Sequence, residues 1–300
     1  MNRAHFTRIG FILAAAGSAV GLGTACIDIF IAKELEKRNL KATFFISLAP
    51  KTDAVDTKEY IENAKMLIRA LTSYKNIKIQ PHIHMKNLPL SFETKSDLFS
   101  EYSLEEQVEA LSWTKEIFLE CGVSEVDAFR PGSYSANDQY YEALAKAGYK
   151  YSSIMKKENV HYDMIRQNIS IEEPYSASQG IIEYPVTSLL IKSIKGKEEL
   201  INLSPDFLTY NSISEVFEKC NYVNVNFHSF SIYTNRFARE NHPKQMSNNL
   251  TYLFFEKPLI KILKLFNFEL INHNTLFRKS FDQWLEELEK YNAQTYIIGE

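Results

Sequence analysis

From residue 31 onward, short apolar runs alternate with stretches whose apolar positions recur at helical spacing, the pattern of a βα-repeat fold on a parallel sheet. Ile31 to Asn39 reads as the end of a helix. Lys41-Ala42-Thr43-Phe44-Phe45-Ile46, β-branched and aromatic, reads as a buried strand. Tyr60 to Tyr74 is predicted helical, because Ile61, Ala64, Leu67, Ile68 and Leu71 fall along one face. Asn76 to Gln80 is predicted as a short strand. Ser103-Leu104-Glu105-Glu106 matches a capping box and opens a helix to about Glu120, which Cys121-Gly122 ends. Asp127 to Arg130 is the next strand; Pro131-Gly132-Ser133 turns the chain before a helix from near Asn137 to Gly148. Gly180 to Val186, Asn221 to Phe227 and Phe268 to Asn272 read as further strands, and Ser212 to Lys219 as a helix. Phe281 to Tyr291 reads as a solvent-facing helix rich in Glu.

The N-terminus breaks this pattern. Ile9 to Ala32 is apolar or small apart from Ser18, Thr24 and Asp28, and it follows Arg3 and Arg8, as in an export signal or a single anchor. Gly23-Thr24-Ala25-Cys26 loosely resembles a lipoprotein cleavage box, with Gly where Leu is usual. The run Arg8-Ile9-Gly10-Phe11-Ile12-Leu13-Ala14-Ala15-Ala16-Gly17-Ser18-Ala19-Val20-Gly21-Leu22-Gly23 resembles the first transmembrane segment of bacterial neurotransmitter:sodium symporters. Such a transporter needs many spans, and no other stretch reaches about 18 uninterrupted apolar residues, so transport is excluded. A gene fusion, a recombination or a misplaced start stays open beside the signal and anchor readings. The expected organisation is an apolar segment over 1–30, one domain over 31–280, and a C-terminal helix and tail over 281–300, with membrane contact only through residues 9–32.

A chain of 300 residues with 45% hydrophobic positions supplies a full α/β core. The net charge of -3 and the absence of any Lys/Arg run longer than a pair argue against a nucleic-acid partner. Cys26, Cys121 and Cys220 lack metal-finger spacing, and Cys121 and Cys220 read as buried reduced thiols.

Three predicted strand ends carry candidate chemistry, and in a βα barrel the loops after the strands form the active face. Pro81-His82-Ile83-His84 brings two imidazoles, which reach one ion if the backbone turns between them. Arg130 ends a second strand ahead of the turn at Pro131-Gly132, where it can hold a carboxylate or orient a substrate. His228 ends a third, in Asn226-Phe227-His228-Ser229. Each His alone is as readily a solvated or hydrogen-bonded residue as a functional one; their convergence on one rim is the signal.

These residues resemble polysaccharide deacetylases of the nodulation-protein type over about residues 31–275. The similar motifs are Lys41-Ala42-Thr43-Phe44-Phe45, His82-Ile83-His84 with Asn87-Leu88-Pro89, Phe129-Arg130-Pro131-Gly132-Ser133-Tyr134-Ser135-Ala136-Asn137-Asp138, Glu183-Tyr184-Pro185-Val186-Thr187, and Phe227-His228-Ser229. The second resembles the subgroup with a His-x-His motif in place of two His four residues apart. The resemblance implies a partly open (β/α)7 barrel and a metal-dependent hydrolase removing acetyl groups from a glycan or sugar precursor. It implies a divalent metal, expected to be zinc, on His82 and His84, since the alternative position holds Lys86. It further implies His228 as general acid, Arg130 as the residue orienting a catalytic Asp, and Pro131, Gly132 and Tyr134 beside the substrate.

One part of the pattern is not there. The family opens with a strand ending in Asp about 25 positions before the Thr-Phe-Phe strand, and here that count lands among Ala14, Ala15, Ala16, Gly17 and Ser18. The first strand is therefore expected to be atypical or missing. Asp28 is the remaining candidate base, with Asp53 and Asp56 as others able to reach the site. Without a carboxylate the two-His site binds zinc weakly and lacks its base. The alternatives to a hydrolase are a carbohydrate-binding pseudoenzyme and a truncated or recombinant gene product.

Overall fold

The computed structural model describes residues 8–14, 22–49, 56–94, 96–154, 173–192, 198–202, 222–228, 275–290 and 293–300. The helix predicted over 212–219 and the strand predicted over 268–272 lie outside them.

Strands β1 (Arg8–Ala14), β2 (Ala42–Ser47), β3 (Ile77–Ile83), β4 (Ala128–Pro131), β5 (Tyr151–Ser152), β6 (Tyr175–Ser176), β7 (Ile182–Glu183), β8 (Ser188–Lys192), β9 (Glu198–Asn202), β10 (Tyr222–His228) and β11 (Gln294–Tyr296) are joined by helices. These are α1 (Leu22–Lys37), α2 (Thr57–Leu71), α3 (Leu104–Glu120), α4 (Tyr140–Lys146) and α5 (Thr275–Lys290). The main sheet runs β10-β1-β2-β3-β4-β5-β7-β6, and every neighbouring pair from β10 to β7 is parallel. That is a seven-stranded parallel (β/α) barrel-type sheet with β6 antiparallel at one edge; β8 and β9 form a separate hairpin. Among the described residues the sheet does not close. The segment after β7 nevertheless reaches β10: Thr187 N donates to Asn224 O at 3.2 Å, Asn224 N to Thr187 Oγ1 at 2.7 Å, and Asn224 Nδ2 to Pro185 O at 2.6 Å.

The first strand is not missing. Arg8–Ala14 pairs along its whole length with β10, with β2 through Ile12 and Leu13, and with β11 through Arg8, Ile9 and Gly10. Strands of a parallel sheet tend to be continuously apolar, which is why the same residues read as a leader. Among the described residues no helix is long and apolar enough to cross a membrane.

Alternation sorts the strands into two faces. Ala42, Phe44 and Ile46 of β2, Ile77, Ile79 and Ile83 of β3, Phe129 of β4, and Val223 and Val225 of β10 join the large core under the helices. Thr43, Phe45 and Ser47 take the opposite face and stand in register with Lys78, Gln80 and His82, and His82 with Arg130. The barrel interior is thus unusually polar, with a small cluster of Phe45, Ala128, Tyr184, Tyr222, Tyr296 and Ile298 as its apolar plug.

The capping box at α3 forms as expected, with Glu106 N donating to Ser103 Oγ and Ser103 N to Glu106 Oε2. The expectation for α5 needs correction. Phe281, Trp284, Leu285 and Leu288, spaced i, i+3, i+4 and i+7, are buried in the main core, so the Glu-rich helix is amphipathic rather than solvent-facing. The chain after it returns to the sheet: β11 wedges beside the start of β1, Thr295 Oγ1 accepts from Lys41 N at 2.8 Å, and Ile298 N donates to Thr43 Oγ1 at 3.0 Å.

Candidate functional site

The rim is built where β1, β2, β3, β4 and β10 end. β3 runs through Ile83, longer than predicted, so His82 is the penultimate strand residue and His84 the first beyond it. Residues i and i+2 of a strand share one face, so the two imidazoles meet without the turn expected between them. Their ring centroids lie 4.9 Å apart, edge to face at 86°.

Both rings are oriented from behind. His82 is buried, with Nδ1 2.9 Å from the carbonyl oxygen of Arg130. A carbonyl only accepts, so Nδ1 carries the proton and Nε2 is the basic nitrogen. His84 Nδ1 lies 2.9 and 3.1 Å from the carboxylate oxygens of Asp97, which selects the same tautomer. A carboxylate or carbonyl behind an imidazole is how metal-binding histidines are commonly held.

Gly132 packs closely against His84. A Cβ on it would stand 2.6 Å from His84 Nδ1 and 2.7 Å from Ile83 O, so the residue is glycine because His84 packs against its backbone. The two residues after it, Ser133 and Tyr134, both adopt left-handed conformations, at φ 56° and 57°. These are costly for non-glycine residues and persist where surrounding contacts fix them.

The contact that fixes Tyr134 is Arg130. The guanidinium is buried, stacked 4.5 Å from the Tyr134 ring centroid and 6.0 Å from that of Phe45. Nη2 donates to the Tyr134 hydroxyl, which also accepts from Asn226 Nδ2 at 2.6 Å. Burial pulls the Arg130 pKa below its ordinary value, against the fields of Tyr134 and Glu183. Pro131 is a buried end residue of β4. Glu183 itself sits between the sheet and α4, bonded by Ile154 N at 2.6 Å and by Tyr141 Oη at 3.2 Å; burial raises its pKa to about 7.

β10 carries His228 to its end, in register with Ala14 of β1; the His228 side chain lies outside the described residues. The strand end expected to hold a carboxylate therefore holds Ala14, and the sequence offers no Asp or Glu between Arg8 and Asp28. Asp28 is wholly buried within α1 and, among the described residues, belongs to no group of three or more His, Cys, Asp and Glu arranged to hold a metal ion. Asp56 is the N-cap of α2, accepting from Glu59 N at 2.8 Å. Asp53 lies outside the described residues.

Among the described residues no group of three or more His, Cys, Asp and Glu side chains is arranged to hold a metal ion. Two neutral imidazoles fit zinc, but a zinc site requires at least three protein ligands. The described donor set is short of that number. Asp97 and Asn226 were not singled out from sequence. Asp97 lies in a loop without periodicity; Asn226 had a legible signal, since Asn224, Asn226 and His228 alternate with Val223, Val225 and Phe227.

No family model matches the chain, and no curated protein matches it. Solved structures do. A protein from Mycobacterium smegmatis assigned to the polysaccharide deacetylases aligns over 100% of this chain and 96% of its own, at 12% identity and a TM-score of 0.48. A CE4 family pseudoenzyme from Bacillus anthracis aligns over 99% of this chain and 65% of its own, at 12% identity and a TM-score of 0.46. The 4-alpha-glucanotransferase of Thermococcus litoralis reaches a TM-score of 0.50 at 10% identity, covering 97% of this chain and 37% of that one. The structural neighbours thus include polysaccharide deacetylases and a pseudoenzyme of that family at low identity, and the likeness is one of fold.

Proposed function

We propose that the chain is a carbohydrate-binding protein on a deacetylase-type barrel whose water-activating centre is incomplete. The observation that carries this reading is the end of β1. Ala14 stands in register with His228, and no acidic residue occurs between Arg8 and Asp28. General-base chemistry on water needs a basic group within hydrogen-bond reach of it, and this strand end has none to offer. What persists is a polar, aromatic-flanked rim: His82, His84, Arg130, Tyr134 and Asn226, with Phe45 beneath.

A second reading, metal-dependent deacetylation of a glycan or sugar precursor, is favoured by the way Asp97 and the Arg130 carbonyl orient the two imidazoles. It requires a carboxylate from outside the described residues. Calorimetric titration of zinc into metal-stripped protein separates the two. Weak zinc binding, together with binding of at least one of a neutral N-acetylated chitooligosaccharide and an acidic sugar and no acetate release, is the expected result. Tight stoichiometric zinc binding abolished in His82→Ala, with acetate released, overturns the first reading in favour of the second.

A further inference from the structure

Two polar atoms of the rim have no hydrogen-bond partner among the described residues, although their own residues are almost wholly buried. They are Nη1 of Arg130, 3% exposed, and Oδ1 of Asn226, 6% exposed. Both side chains are tied to one hydroxyl, since Arg130 Nη2 and Asn226 Nδ2 each donate to Tyr134 Oη. The orphans therefore belong to a single bonded unit: one is a charged donor, the other a neutral acceptor.

The cation also lacks a bonded anion among the described residues. The Phe45 and Tyr134 ring faces attract a guanidinium but carry no counter-charge. Glu183 is the carboxylate whose field reaches Arg130, and its oxygens are already engaged by Ile154 N and Tyr141 Oη. The sequence offers no Asp or Glu between Arg8 and Asp28. A buried charge left unpaired is unfavourable, and a guanidinium is well matched to a carboxylate.

We infer that this unit binds the carboxylate of a sugar acid, with a carboxylate oxygen accepting from Arg130 Nη1 and a neighbouring hydroxyl donating to Asn226 Oδ1. A neutral acetamido sugar has hydroxyls for Asn226 but no charge for Arg130. A sulfate has charge but no proton for Asn226 Oδ1. A uronic acid residue presents both, its carboxylate lying beside a ring hydroxyl. The inference rests on the carbohydrate-binding reading and narrows it to acidic glycans.

The test is calorimetric titration of the full chain, in chelator so that no metal mediates binding, with glucuronate, glucose and acetate. Glucuronate is expected to bind at least about tenfold more tightly than glucose or acetate. Asn226→Asp sets a carboxylate next to Arg130; it is expected to weaken glucuronate binding by about tenfold or more while the thermal midpoint stays at or above that of the parent. Equal affinity for glucuronate and glucose, or full affinity retained in Asn226→Asp, overturns the inference. Acetate binding as tightly as glucuronate also overturns it, making this a small-anion site. If an N-acetylated chitooligosaccharide binds and glucuronate does not, the inference fails and the carbohydrate reading stands; if neither binds, both fall.

Discussion

Asn224 and Asn226 stand two residues apart on one face of β10, and their surroundings differ. The Asn224 side chain is fully bonded: Nδ2 donates to Pro185 O at 2.6 Å and Oδ1 accepts from Tyr296 Oη. Around it Gln80 and Lys78 are bonded in turn. Gln80 donates to Glu125 O at 2.8 Å and accepts from Asp127 N at 3.0 Å and Ala128 N at 2.7 Å. Lys78 pairs with Asp127 at 2.7 Å and donates to Ile298 O at 3.0 Å. One rung up, Asn226 keeps an oxygen, and the guanidinium tied to the same hydroxyl a nitrogen, without a hydrogen-bond partner among the described residues. The same amide on the same strand ties the barrel together at one level and, among the described residues, keeps one oxygen without a hydrogen-bond partner at the next. Local imperfection of this kind concentrates where function is, at the strand ends.

The largest effect is expected in the satisfied layer. Asn224→Ala strands the Pro185 carbonyl and the Tyr296 hydroxyl inside the barrel, at a cost of about 3–4 kcal/mol in urea unfolding for two orphaned groups. A loss under about 1 kcal/mol would mean that water reaches this layer and that the two levels do not differ as described.

Glu183 offers the next test, on the helix side of the sheet. Its folded pKa of about 7 lies above the ordinary 4.5, chiefly through burial. The folded state therefore holds the proton more firmly than the unfolded chain. The resulting stabilisation is fully present below about pH 4.5 and fades as pH rises through about 7, worth about 3 kcal/mol between the limits. Glu183→Gln should flatten that part of the stability-against-pH curve. An identical slope in the variant would assign it to other groups.

At the rim itself, Gly132→Ala drives a methyl into His84 and the Ile83 carbonyl. The expected cost is about 1–3 kcal/mol, the usual range for overpacking, together with a shifted His84 imidazole signal in NMR. Destabilisation with an unmoved His84 signal would show that the backbone gives way instead.

Much of this was legible in the sequence. The strand ends at His82, Arg130 and His228, the capping box at Ser103 and the lack of a carboxylate near Ala14 all follow from local pattern and spacing. β1 did not, because hydropathy cannot distinguish a continuously apolar strand of a parallel sheet from a leader or membrane segment. α5 was misjudged because its Glu content outweighed the spacing of Phe281, Trp284, Leu285 and Leu288. The partners of the site residues were beyond reach for a different reason. Asp97 meets His84 from 13 residues away and Asn226 meets Tyr134 from 92, and no sequence periodicity encodes such pairings.

The smallest predicted effect is the most direct check on the difference between the two asparagines. Asn226→Ala removes the same atoms as Asn224→Ala, from the same face of the same strand. It deletes one bond, Nδ2 to Tyr134 Oη, and at the same time relieves one orphan, Oδ1. The loss and the relief are similar in size, so the net change should stay within about 1 kcal/mol. Tyr134 keeps its bond from Arg130, so its left-handed backbone is expected to hold, and near-ultraviolet circular dichroism should match the parent. A cost as large as that of Asn224→Ala would require Asn226 to be part of the bonded scaffold, and the rim would then have no acceptor to spare for a ligand.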